Sequence, residues 1–196
     1  MNLTPAEAAD SLHQIENAGR RSAEVHAYAN ASPNFMLWGV VWMFGYAGSD
    51  LIPAFTGNTR SISWLWFGVT IIGVAGSMLI GRHQHRTQHP GMRAAGRAIG
   101  FRWGMTMFAA WIFVLASLAV FRPANPVASG AFIPLLMALI YAVYGIWSGL
   151  RFLYIGVAVA ALTLGGWFYL PHHFLLWMAV VGGGSLVLVG LWLKKV

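Results

Sequence analysis

The sequence predicts an all-α polytopic integral membrane protein: a six-helix transmembrane bundle preceded by an N-terminal amphipathic cytoplasmic helix. Three observations predict it. Charge is scarce, since Lys, Arg, Asp and Glu make up 9% of the 196 residues against roughly 25% in soluble domains. Apolar residues reach 58%, with 23 glycines besides, and a soluble fold of this size needs a more polar exterior. The cations, finally, gather on one side of the predicted spans. The first two observations exclude a soluble globular enzyme and a disordered chain. The chain has no cysteine, so no disulfide bears on its compartment.

Six stretches supply the roughly 20 apolar residues that cross a hydrocarbon core. They run over about 35–55, 62–81, 103–121, 131–149, 152–170 and 174–193. None alternates with period two, so they are helices rather than barrel strands. Residues 131–170 form one apolar run broken only by Arg151. A single helix of that length would measure about 60 Å, twice the core thickness. A hairpin near Ser148-Gly149-Leu150-Arg151 is therefore expected. The polar first 30 residues lack the pattern of a signal peptide, so the first span is expected to direct insertion. Residues 1–32 are then the cytoplasmic helix and 33–196 the bundle.

Orientation follows from the basic residues. Six spans with an internal N-terminus place Arg20, Arg21, Arg82, Arg86, Arg93, Arg97, Arg102, Arg151, Lys194 and Lys195 on one side. Only Arg60 and Arg122 fall on the other. The positive-inside rule makes both termini cytoplasmic. Trp38, Trp64, Trp103, Trp147, Trp167, Trp177 and Trp192 fall near span ends, as an aromatic belt requires, and Trp111 is the exception.

Thr4-Pro5-Ala6-Glu7 reads as a helix start, with Thr4 as cap, Pro5 at the first position and Glu7 closing a capping box. A helix is expected over about 5–30. Stepping 100° per residue puts Ala8, Leu12, Ile15, Ala18, Ala23, His26 and Ala29 on an arc of about 140°. Glu7, Asp10, Glu16, Arg20, Arg21 and Glu24 lie outside it. The arc is mostly alanine, which is shallow for lipid insertion. It suits packing on protein, either this bundle or a second copy, so residues 5–30 are the expected contact for a homo-oligomer or protein partner.

The loop after span two is basic, with Arg82, Arg86, Arg93, Arg97 and Arg102. Juxtamembrane cations fix topology and attract anionic head groups, here those of the inner leaflet. No reading module surrounds them, so no nucleic-acid partner is expected. His83, His85 and His89 form H-x-H-x3-H. On a helix His85 and His89 could share a metal, but no Cys, Asp or Glu is near to complete a site and Pro90 follows at once.

Asp50 is the one acid beyond residue 24. It lies about a turn inside the outer end of span one, and intramembrane ionisable groups are functional candidates. Its possible partners there are Arg60, Arg122, His172 and His173. Its bland reading is interfacial hydration near Pro53. No span carries a mid-membrane His, which argues against b-type haem, and the lack of other mid-membrane charges argues against a usual proton relay. No catalytic residue and no cofactor are assigned.

Small residues mark packing faces: Gly73-x3-Ser77-x3-Gly81, Gly145-x3-Gly149 and Gly156-x3-Ala160. Gly73 and Gly76 in span two and Gly182-Gly183-Gly184 at the midpoint of span six are candidates for a mid-membrane site, since unwound helices form sites in transporters. Close helix crossing is the plainer cause. A short echo between Ala75-Gly76-Ser77-Met78-Leu79 and Gly183-Gly184-Ser185-Leu186-Val187 is too brief for a repeat.

The stretch Ser32-Pro33-Asn34-Phe35-Met36-Leu37-Trp38-Gly39-Val40-Val41-Trp42, and Phe174-Leu175-Leu176-Trp177-Met178-Ala179 with Gly182-Gly183-Gly184, resemble a group of small bacterial multi-pass inner-membrane proteins of unassigned function. The resemblance implies a bacterial inner membrane and no mechanism. The expectation is a non-enzymatic protein with an interaction or regulatory role through its cytoplasmic helix and basic loop. A small transporter or channel using the mid-membrane glycines is the first alternative. A metal- or cofactor-binding protein using the His clusters is the second.

Overall fold

Residues 5–56, 60–87, 90–121 and 126–195 are described by a computed structural model, and apart from turn residues all of them are helical. Helix α1 spans Pro5–Thr56, α2 Arg60–Thr87, α3 Pro90–Phe121, α4 Pro126–Ser148 and α5 Leu150–Tyr169. A 3-10 turn, Pro171–His173, then leads into α6, Phe174–Trp177. A π-helical turn, Met178–Gly183, continues without a break into α7, Gly184–Lys194. Counting that last rod as one, six helices are long and apolar enough to cross a membrane. Pro5, Pro90 and Pro126 begin α1, α3 and α4, where the missing N–H costs nothing.

The expected cytoplasmic helix and first span are one helix of 52 residues. Pro33 lies inside it and removes one hydrogen bond. A buried stripe holds the helix together across this point: Tyr28, Ser32, Phe35, Gly39, Trp42, Tyr46 and Ser49. Their alternating steps of four and three keep one face on the rest of the bundle. Ser32 and Gly39 meet the last rod, Tyr28 and Phe35 meet rings of α4 and α5, and Tyr46 and Ser49 meet Trp66 of α2. Ser32 Oγ donates to the Gly190 carbonyl at 2.7 Å, just before the proline.

N-terminal to Tyr28 the helix leaves the bundle. Every described side chain from Asp10 to His26 is exposed, including Leu12 at 62% and Ile15 at 68%. The alanine-rich arc therefore does not dock on this chain's own bundle, because α1 continues past the bundle and carries the arc beyond it. Thr4 lies outside the described residues, as does the Glu7 side chain.

The core lies between α1, α4, α5 and the last rod. Phe35, Trp42, Tyr46, Ala138, Phe152, Ile155, Val159, Phe174, Met178, Leu186 and Leu193 fill it. Aromatic contacts join the helices: Phe35 with Tyr141 at 5.0 Å, Tyr144 with Phe152 at 5.0 Å and Trp167 with Phe174 at 5.5 Å. Helices α2 and α3 sit at the periphery and expose large apolar side chains such as Phe67, Ile72, Leu79, Phe108, Ile112 and Leu115. In water such faces would be aggregation sites, and in lipid they are ordinary surface.

The tight hairpin between α4 and α5 forms at Gly149, whose φ of 134° favours glycine. A side chain there would also strike the Tyr28 hydroxyl. Gly145 packs on the backbone of Leu153 and Gly156 on that of Ala138 and Ala142, so the two helices touch closely.

Candidate functional site

The glycines of the last rod sit in a helix crossing. A Cβ on Gly183 would meet the Gly39 carbonyl at 2.8 Å, and one on Gly39 would meet the Gly183 carbonyl at 2.7 Å. Gly190 lies likewise on Ser32 and Met36 of α1. The Met178–Gly183 segment is wound into a wider π turn rather than unwound. Single π turns recur at functional positions but still satisfy their backbone groups. Gly182 is buried against Met178, whereas a Cβ on Gly184 would meet nothing within 4 Å. Beside the turn runs an open apolar groove of about 430 Å³, lined by Met43, Val180, Val181, Gly184, Ser185, Val187 and Leu188. It carries no ionisable group.

Gly73 and Gly76 of α2 serve packing in the same way. They receive the Trp38 ring and the Leu37 side chain of α1. In exchange, Gly45 and Gly48 of α1 receive Trp66 and Leu65 of α2. Polar links lock this pairing: Trp38 Nε1 donates to Ser77 Oγ at 3.1 Å and Trp66 Nε1 to Ser49 Oγ at 2.9 Å. Ser49 Oγ donates in turn to the Gly45 carbonyl at 2.7 Å, and the Tyr46 hydroxyl to the Gly130 carbonyl at 2.6 Å. Sequence reasoning missed this buried polar chain. Its only signal was Tyr46 and Ser49 three residues apart on an otherwise apolar helix.

Asp50 is partly exposed near the end of α1 and shows no hydrogen bond or ion pair among the described residues. Arg60 begins α2, and His172 and His173 are exposed in the 3-10 turn. The three cluster partners thus share Asp50's end of the bundle without closing a pair on it. Arg122 lies outside the described residues.

At the opposite end, Arg82 and Arg86 are exposed one turn apart on α2, and Arg102 is exposed on α3. The side chains of Arg93 and Arg97 lie outside the described residues. Gln84 Nε2 donates to the Asn30 carbonyl at 2.9 Å and ties α2 to α1. His83 is exposed and His85 partly buried. Two residues apart on a helix, they face about 160° away from each other. Among the described residues no group of three His, Cys, Asp or Glu could hold a metal ion, and His89 lies outside them.

The same end holds a feature the sequence did not suggest. Arg151, in the first turn of α5, lies over two rings at once. Its guanidinium carbon stands 5.2 Å from the centroid of Tyr28 and 4.7 Å from that of Trp192. It links the start of α5, the stripe of α1 and the end of α7 through cation–π contacts. Among the described residues its buried Nη1 has no hydrogen-bond partner.

No known protein family, curated protein or solved structure matches the chain.

Proposed function

We propose that the chain is a non-enzymatic multi-pass protein of a bacterial inner membrane, with both termini cytoplasmic, that acts by engaging a protein partner through its N-terminal helix. One observation carries this: α1 runs well past the core, and its residues Asp10 to His26 stand exposed, with Leu12 and Ile15 on one arc. A helix with no tertiary support is marginal in water unless something covers its apolar face. The acids Asp10, Glu16 and Glu24 stand on this helix, and the exposed Arg82, Arg86 and Arg102 stand at the foot of it. The partner therefore meets an acidic arm beside a basic platform, and the platform also draws anionic head groups.

The test is photo-crosslinking from Leu12 and Ile15 in cells. The expected result is a discrete adduct, a second copy or a different protein, formed from both positions and absent from Glu24, which lies on the opposite side of the helix. Adducts confined to one chain, or none from either position, would overturn the proposal.

A further inference from the structure

We propose that Arg151 and the uncapped start of α5 form a binding site for the phosphate of an anionic phospholipid head group. A guanidinium is always charged, and burying one of its nitrogens without an acceptor costs more than an ordinary lost hydrogen bond. Arg151 Nη1 is in that position. The two rings that flank the group offer their faces, which attract the charge but cannot accept the in-plane N–H bonds.

Among the described residues Arg151 pairs with no carboxylate. Asp50 lies 22 residues along α1 from Tyr28, about 33 Å away on the helix. Asp10, Glu16 and Glu24 are exposed on the free arm.

The surroundings favour an anion further. Gly149 precedes α5 and offers no side-chain cap, so the 20-residue helix presents its positive end here. Lys194 and Lys195 are exposed just beyond Trp192. One wall of the site is fixed and one is movable: Tyr28 is 4% exposed, whereas Trp192 is 44% exposed. Arg151 as a whole is partly exposed, so an anion approaches from the Trp192 side.

The position selects the source. Leu150 opens a membrane-spanning helix and Lys194 closes another, so the site stands at head-group depth whichever way the chain inserts. A planar guanidinium takes two phosphate oxygens at once, and two flanking lysines favour a net negative head group over a zwitterionic one. The phosphodiester of such a lipid supplies the acceptor that Nη1 lacks. This depends on the chain spanning a bilayer and not on the partner proposed for the arm.

The test uses the full-length protein purified in mild detergent. Native mass spectrometry reads retained lipid, and the melting temperature is followed as phosphatidylglycerol, phosphatidylcholine or inorganic phosphate is added. Wild type is expected to retain one phosphatidylglycerol and to melt higher with it. R151Q should bind it roughly tenfold more weakly or worse, as for a lost charge-assisted hydrogen bond. R151K, which keeps charge without the fork, should fall between. R21Q, on the exposed arm, should match wild type. If R151Q does not fold, W192L reads the same site with the cation in place and should weaken retention. Equal retention in R151Q and R151K, or a loss in R21Q as large as in R151Q, would overturn the proposal. So would an equal response to phosphatidylcholine. An equal response to inorganic phosphate at the same concentration would remove the lipid as the source.

Discussion

Gly183 and Gly184 are neighbours in sequence with opposite tolerances. Gly183 faces the Gly39 carbonyl and Met43, and a side chain there meets backbone within 3 Å. G183L is expected to lose stability by roughly 1–3 kcal/mol through overpacking. A Cβ at Gly184 meets nothing within 4 Å, so G184A should be neutral or gain up to about 1 kcal/mol from helix propensity. Melting of both variants in one detergent checks the pair, and equal melting temperatures would refute the contrast. The three-glycine run was legible in the sequence as a close approach. Which glycine touches α1 was not, because the π turn rotates the following residues away from ordinary helical register. Arg151 was likewise legible only as a break in an apolar run and as one of the cations expected on the inner side. Its two rings come from residues 28 and 192, and no local pattern links positions that far apart.

At the scale of the helix, the six spans were legible because bilayer thickness sets their length. The continuity of α1 was not. Ser32-Pro33 carries the local signals of a helix end, yet the seven-residue stripe from Tyr28 to Ser49 overrides them by packing on the rest of the bundle. Such long-range burial outweighs one missing hydrogen bond. Hydrogen exchange should divide α1 at Tyr28. Amides of residues 10–26 are expected to exchange far faster than those of 35–49, since only the latter have tertiary support. Uniform protection along α1 in the isolated protein would show that the arm is covered by contacts of its own chain.

For the whole molecule, the distribution of charge predicts a topology. Arg86 and Arg102 are exposed at one end of the bundle and His173 at the other. With no native cysteine in the sequence, single cysteines report directly. R86C and R102C should react with a membrane-impermeant maleimide only after cells are opened, and H173C in intact cells. The reverse pattern would invert the orientation expected from the basic residues.

One consequence of the unbroken α1 is mechanical. Its free arm, residues 5–27, is about 33 Å long and continues without a break into the part long and apolar enough to cross a membrane. If the bilayer thins or thickens, spans answer by changing tilt. A change of roughly 10° at the seam would then move the arm's tip sideways by about 6 Å, by the geometry of a rigid helix of that length. The embedded segment and the arm thus form a pointer and its pivot. Bilayer thickness at the pivot sets where the tip stands, and Pro33, where one backbone bond is missing, is the most compliant point along it.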